Sequence, residues 1–405
     1  MFTNLKGVAM FKFFLDIYYT CKSELKAIIR DEAIIILFLL VPFGYPLLYT
    51  YIYNNEVSRE VKMIALDESH SALGREFVRK VDATPDVHII GYAGDMEEAK
   101  EYMRRKEAYG ILYIPGDFSK NLHTQKQTQV NVYADMSALL FYKAMVLSTT
   151  EVSLDMGADI RVSEVGYKSR GDDANTQQAV LNEWVPLYNP ANGFASFLIP
   201  AVLILILQQT MLLGIATRVG TQNDRRIYSI GINDLTGKKV GSLGLTFGKA
   251  VCYVLLYMLI SIWVIRIVPY LFDLPQIGEP STIAIFIMPF LLASAFFGIT
   301  LSYFCSQREF AMPLFVFTSV IFVFLSGISW PWASMPPMLK SISYIIPSTP
   351  AIQGFVRINT MGASLGEVWF EYIALWVQAI VYCVTAILMQ KWWYRNYSRQ
   401  HIETI

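Results

Sequence analysis

The sequence predicts an α-helical polytopic membrane protein with six transmembrane helices and an extracytoplasmic α/β domain inserted between the first and the second. Three observations predict it. Of 405 residues, 54% are hydrophobic and only 16% charged, where soluble chains carry about 25% charged residues. Six apolar runs approach or exceed the ~20 residues a helix needs to cross the hydrocarbon core. Between the first and second runs the chain turns polar, and short β-branched stretches alternate with charged helical ones.

Residues 1–32 precede the first span. Phe11, Phe14, Tyr18, Cys21, Leu25 and Ile28 recur at alternating steps of three and four, which puts them on one helical stripe; Lys12, Asp16, Lys22 and Lys26 fall off it. A basic amphipathic helix of this kind lies along the inner membrane surface or packs on a partner protein. The first span, 33–53, contains Pro42 and Pro46, which membrane helices tolerate where neighbours satisfy the freed carbonyls. It begins too far in, and runs too long, for the apolar core of a cleavable signal, so it reads as an uncleaved anchor.

Residues 54–188 read as the external domain. "EVKMIALDES", "DVHIIGYAG", "YGILYIP" and "QVNVYAD" are strand-like, and "SALGREFVRKV" and "DMEEAKEYMRRKEA" helical. Asp95 and Glu98 have capping-box spacing. A long helix is expected over Ser137–Ile160, and a loop over 165–178. The charge run 97–107 has the pattern of a solvated helix face. His70, His88 and His123 lack ligand spacing, so no metal site is expected. None of the four cysteines falls in this region, so it has no disulfide framework. Residues 189–405 supply the other spans, at Gly193–Ala216, Leu245–Phe272, Thr282–Cys305, Phe310–Ile328 and Trp369–Met389.

Lysine and arginine set the orientation. Lys6, Lys12, Lys22, Lys26 and Arg30 precede the first span. Arg218, Arg225, Arg226, Lys238 and Lys239 lie between the second and third, and Arg308 between the fourth and fifth. Lys391, Arg395 and Arg399 follow the last. The loops on the opposite side are nearly free of basic residues. Both termini and the 217–243 loop are therefore expected in the cytoplasm.

Little in the chain suggests chemistry of its own. "GLTFGKA" at Gly244–Ala250 has three residues between its glycines instead of four, and Ala250 where a phosphate-binding loop needs Ser or Thr. Nucleophile elbows and zincin motifs are absent from the sequence, so no catalytic residue is assigned and the chain is not expected to be an enzyme. Net charge is zero, which gives no ground for a nucleic-acid partner. The spans are poor in charge, against the pattern of a proton-coupled carrier. Lys249 and Arg266 lie near span ends and are expected to snorkel. Gln208, Gln209 and Thr210 form a polar cluster in the second span, either lining a substrate path or hydrogen-bonding between helices. After the fifth span, Gly327, Trp330, Pro331, Pro336 and Pro337 open a proline-broken stretch, 327–367, apolar enough to dip into the outer leaflet.

Several segments together resemble the ABC-2 family of export permeases (type V exporters), the bacterial branch with a large periplasmic domain between the first two spans. They are "ELKAIIRDEAIIILFLLVP", "VKMIALDES", "YGILYIPGDFS", "VNVYAD", "YNPANGFASFLIPAVLIL", "FGKA" and "FLSGISWPWASMPPMLKSISYIIPSTPAIQGF", in this order and across nearly the whole chain. The resemblance implies a permease subunit in the bacterial inner membrane, paired with itself or a similar permease in a lipid environment. Separate ABC ATPase subunits would hold ATP and Mg, and this chain would need no cofactor. It also implies that residues 1–32 are a connecting helix and that the 217–243 loop carries a coupling helix docking on the ATPase. Gly220 and Thr221 match the family's Gly–Thr, with Asn223, Asp224, Arg225 and Arg226 beside them. The acidic residues common before that pair are replaced here by Arg218 and Val219. The resemblance further implies that the stretch from Gly327 to Pro337 helps close an outer gate. The exported substrate would be a lipid, drug or other amphipathic molecule. The rival is a non-transporting anchor whose external domain binds envelope partners.

Overall fold

The computed structural model describes residues 2–54, 58–124, 126–168, 187–189, 193–224, 240–305 and 307–402. The chain divides into two compact units, Met1–Asn54 with Phe194–Ile405, and Asn55–Gly193.

In chain order, α1 (Phe2–Arg30) runs into α2 (Glu32–Tyr53). There follow β1 (Val61–Asp67), α3 (Ala72–Asp82), β2 (Val87–Tyr92), α4 (Met96–Arg104), β3 (Gly110–Ile114), α5 (Phe118–His123), β4 (Asn131–Ala134) and α6 (Leu139–Lys168). Then come α7 (Phe194–Asp224), α8 (Ser242–Leu271), α9 (Pro280–Ser302), α10 (Arg308–Leu325), α11 (Pro337–Ser343), α12 (Ser348–Met361) and α13 (Trp369–Ile402).

The second unit is a four-stranded sheet in the order β2-β1-β3-β4, parallel except for β4. Alternation along β1 explains its packing. Met63 and Ala65 point into one core with Phe77 and Val81 of α3, Phe118 of α5 and Met145 of α6. Ile64 and Leu66 point into the other, with Ala99 of α4. Local capping fixes where the helices begin. Ser71 accepts from the Gly74 amide at 2.9 Å, and Asp95 from the Glu98 amide at 2.7 Å. The Glu98 carboxylate reaches back to the Gly94 amide, one residue beyond the usual partner in a capping box. Helix α6 continues to Lys168, so Val165–Lys168, expected in a loop, is helical. Gly166 costs about 1 kcal/mol there, which one residue in a 30-residue helix can absorb.

In the first unit six helices are long and apolar enough to cross a membrane, one for each apolar run of the sequence. Within their most apolar windows, 78% of α7 and 72% of α9 is buried, against 17% of α10 and 22% of α13. Helices α7 and α9 are therefore the centre of the bundle. Helix α12 is also buried, although it is too short to span.

Prolines follow π-helical stretches in two spans. A π-helical stretch, Ile36–Leu40, precedes Pro42 and Pro46 in α2, and another, Ile262–Ile267, precedes Pro269 in α8. Pro269 has no amide for the Ile265 carbonyl four residues back. The Gln276 side chain supplies the missing donor at 2.7 Å. Its oxygen in turn accepts from Arg266 at 2.7 Å. Arg266 is thus tied to a protein partner, where the sequence suggested only a snorkelling cation.

Candidate functional site

The end of α7 carries the residues singled out by sequence. Gly220 lies against the turn between α9 and α10: a Cβ there would come within 2.6 Å of the Arg308 Cα and 2.7 Å of its nitrogen. Thr221 is buried, and its hydroxyl donates to the Thr217 carbonyl at 2.9 Å. Asn223 donates its side-chain amide to the Cys305 carbonyl at 3.3 Å. Asp224 is the last residue of α7. Arg225 and Arg226, with the rest of the loop to Lys239, lie outside the described residues. Gly220 and Asn223 thus fasten the helix end to the α9–α10 turn, and Thr221 is buried with its bond inside the helix.

A charged cluster that sequence reasoning missed sits beside them. Glu24 of α1 pairs with Arg218 of α7 at 3.1 Å and with Lys249 of α8 at 3.7 Å. Tyr253 hydrogen-bonds the same carboxylate at 3.5 Å, and Lys249 reaches the Gln222 side-chain oxygen at 3.4 Å. The Glu24 side chain is only 5% exposed, those of Arg218 and Lys249 11% each. Burial pushes the Glu24 carboxyl pKa up, but the Arg218 and Lys249 charges outweigh that and hold it below the ordinary carboxylate range. Glu24 is therefore ionised at neutral pH. The stability its pairing contributes is lost only as pH falls through this lowered pKa. Lys249 does not snorkel; a carboxylate inside the protein is its counter-ion. Arg218, standing where the resembled family tends to carry acidic residues, is likewise engaged internally.

Glycines allow this contact. A Cβ on Gly244 would meet the Asp16 Cβ at 2.7 Å, and one on Gly248 the Thr20 Cβ at 2.5 Å. The two glycines of "GLTFGKA", four apart on one face of α8, form the seat for α1. Phe13 packs edge-on against Phe247 beside it, ring centroids 6.0 Å apart. The packed face of α1 thus includes Phe13, Asp16, Thr20 and Glu24. Most of the apolar stripe, with Phe11, Phe14, Tyr18 and Leu25, faces outward, and Ile28 alone of it is fully buried. Asp31, at the N-cap position of α2, pairs with Arg308 at the start of α10 at 3.2 Å.

The other candidates are separate from this cluster in sequence and contacts. The Thr210 hydroxyl donates to the Ile206 carbonyl and accepts from Tyr257 of α8 at 3.0 Å, a helix–helix hydrogen bond. The side-chain amides of Gln208, fully buried, and Gln209 have no hydrogen-bond partner among the described residues. Gly327 adopts φ +82°, a left-handed conformation that favours glycine, and a Cβ there would meet Gln353 at 2.7 Å. Gln353 donates to the Ser326 carbonyl at 2.7 Å and fastens this turn to α12. Trp330, Pro331, Pro336 and Pro337 are exposed, and Pro337 opens α11 at its first position. Among the described residues no group of acidic, His or Cys side chains could hold a metal ion.

The pattern of the ABC-2 family transporter proteins matches residues 33–388. The chain belongs to that family. The match covers α2 to α13, both units included. Curated relatives of this ABC-2 protein are remote but nearly full length. The linearmycin resistance permease protein LnrN of Bacillus subtilis (strain 168) is 22% identical over 360 residues, 81% of this chain and 88% of the relative. The probable multidrug ABC transporter permease YbhR of Escherichia coli (strain K12) is 22% identical over 377 residues, 90% of this chain and 94% of the relative.

Proposed function

We propose that this ABC-2 protein is the membrane-spanning permease subunit of an ATP-driven exporter and works without an ATPase site of its own. Work enters through the loop between α7 and α8, which docks on a separate ABC ATPase holding ATP and Mg. The two termini and this loop face the cytoplasm, and the sheet unit lies on the opposite side of the membrane. Two permease chains, identical or similar, pair with two ATPase chains. The cargo is a lipid, drug or other amphipathic molecule; that the relatives are named a linearmycin resistance permease and a probable multidrug permease supports that class.

One observation carries the reading. Both helices that flank the loop are tied to their surroundings within about two turns of it. Gly220 and Asn223 fasten α7 to the α9–α10 turn, and Glu24 joins α7 and α8 to α1. A loop meant only to hold basic residues against headgroups needs no such base. A loop that receives a push does, because force travels through packed elements and is dissipated by loose ones. Under this reading Gly220, Thr221 and Asn223 position the docking segment, while Asp224, Arg225 and Arg226 belong to its contact surface. The gate residues Gly327 to Pro337 lie at the exposed end of the α10–α11 turn.

The test is co-purification of the chain with an ATP-binding-cassette subunit from its own cell, followed by ATP hydrolysis of the complex. Arg225→Glu is expected to lower co-purification and turnover while leaving membrane insertion intact. Unchanged assembly and turnover would remove the loop from the mechanism. Failure of the wild-type chain to capture any such ATPase would favour a non-transporting anchor.

A further inference from the structure

Three charged side chains from three helices meet in a nearly water-free site. Glu24 belongs to α1, Arg218 to α7 and Lys249 to α8. The two cations sit on opposite sides of the 225–239 loop, one on the helix entering it and one on the helix leaving it. A single carboxylate serves both. The seat beneath is made by Gly244 and Gly248, whose lack of side chains brings α1 into close contact. A glycine seat gives proximity but little register, since a helix can slide or turn on it. A buried, directional ion cluster fixes register, the best-attested use of such groups.

We propose that Glu24 is a positioning residue that carries displacement of the α7–α8 loop into α1. The proposal rests on the exporter reading above. Any relative motion of the ends of α7 and α8 must either drag Glu24 along or leave one cation without its carboxylate in a dry site. Dragging is favoured, so α1 moves with the loop. Tyr253 and Gln222, which bond the carboxylate and the lysine, hold the cluster together as the helices shift. Asp31, the residue after α1, pairs with Arg308, so that end of α1 is held near the α9–α10 turn and the motion becomes a tilt of α1 about it.

Hydrogen–deuterium exchange on the purified permease–ATPase complex tests this, comparing the nucleotide-free state with ADP–vanadate trapping. In the wild type, peptides covering 225–239 and peptides covering α1 are both expected to change exchange several-fold on trapping. In Glu24→Gln the loop response should remain and the α1 response should be lost. A role confined to stability would lower yield or melting temperature in that variant and leave the α1 response intact, which overturns the proposal. Should Glu24→Gln not assemble, the triple variant E24L/R218L/K249M removes all three charges and keeps apolar volume. An α1 response that survives in it overturns the proposal too. A wild-type complex whose loop responds while α1 does not sinks the proposal alone. Absence of any ATPase complex sinks the exporter reading and the proposal together.

Discussion

Ion pairs are built in opposite ways in the two units. In the sheet unit they are numerous and wet. Lys80 bridges Asp155 and Asp159 at 3.0 and 2.9 Å, and Glu97, Lys100, Glu101, Arg104 and Arg105 form a ladder along α4, with every partner at least 30% exposed. In the helical unit they are few among the described residues, and the Glu24 cluster is almost dry. The difference shows what each is for. An exposed pair exchanges water for a partner at little net gain, typically about 0–1 kcal/mol. A buried pair has already given up its water, so it adds little on balance yet is costly to break. The first kind keeps a domain soluble; the second fixes how helices sit.

The largest expected effect follows from breaking the dry cluster at its centre. Glu24→Ala leaves Arg218 and Lys249 buried without their shared carboxylate, at a cost of about 3–5 kcal/mol. Thermal unfolding of the detergent-solubilised chain should show a marked drop, and adding Arg218→Leu and Lys249→Met should recover much of it. A Glu24→Ala protein as stable as wild type would mean that water reaches this cluster and that the contrast between the units is false.

Next in size is Gly220→Leu. Its side chain would have to displace the backbone of Arg308, which cannot rotate away as a flexible side chain can. Overpacking of this sort costs about 1–3 kcal/mol. It should also raise protease sensitivity at the adjoining loop, measurable by limited proteolysis. If Gly220→Leu is silent in both assays, the α7 end is looser than its contacts indicate, and the rigid base for the loop is lost.

The two units also differ in how far their sequences could be read. The strands of the sheet unit were legible from short apolar runs such as Met63–Leu66 in β1, the pattern of a strand covered on both faces, where Met63 and Ala65 pack on one side and Ile64 and Leu66 on the other. The spans were legible because length and apolarity alone define them. Which face of a membrane helix packs was not legible. In water the apolar face turns inward, but lipid is as apolar as a protein core, so that signal loses its direction. In α1 the stripe of Phe11, Phe14 and Tyr18 faces away from the bundle, and it is the side bearing Asp16, Thr20 and Glu24 that packs. The useful clue is the pair Gly244 and Gly248, small residues one turn apart inside the string that reads as a defective phosphate loop. Glu24 itself stands 194 residues from Arg218, and no local pattern joins them. The rescue of the Ile265 carbonyl by Gln276 was equally hidden, since it depends on where a loop residue lands after Pro269.

The smallest effect is expected at Lys80, and it probes the wet half of the comparison. Hydrogen bonding to Asp159, then to Asp155, raises its pKa above the ordinary lysine value. A raised lysine contributes stability that is whole below its unfolded pKa and lost as pH climbs through the folded one. The contribution is therefore intact at neutral pH and disappears only in strong alkali. Because the site is open to water, salt should remove most of it: at about 1 M the screening length is near 3 Å, the length of the contact itself. Lys80→Met is expected to lower the unfolding midpoint of the intact protein slightly in dilute buffer and not at all in concentrated salt, where Glu24→Ala remains costly because ions cannot enter its site. A large, salt-independent loss at Lys80 would show that this pair organises α3 against α6 as Glu24 organises α1. Exposure alone would then not separate the two kinds of ion pair in this protein.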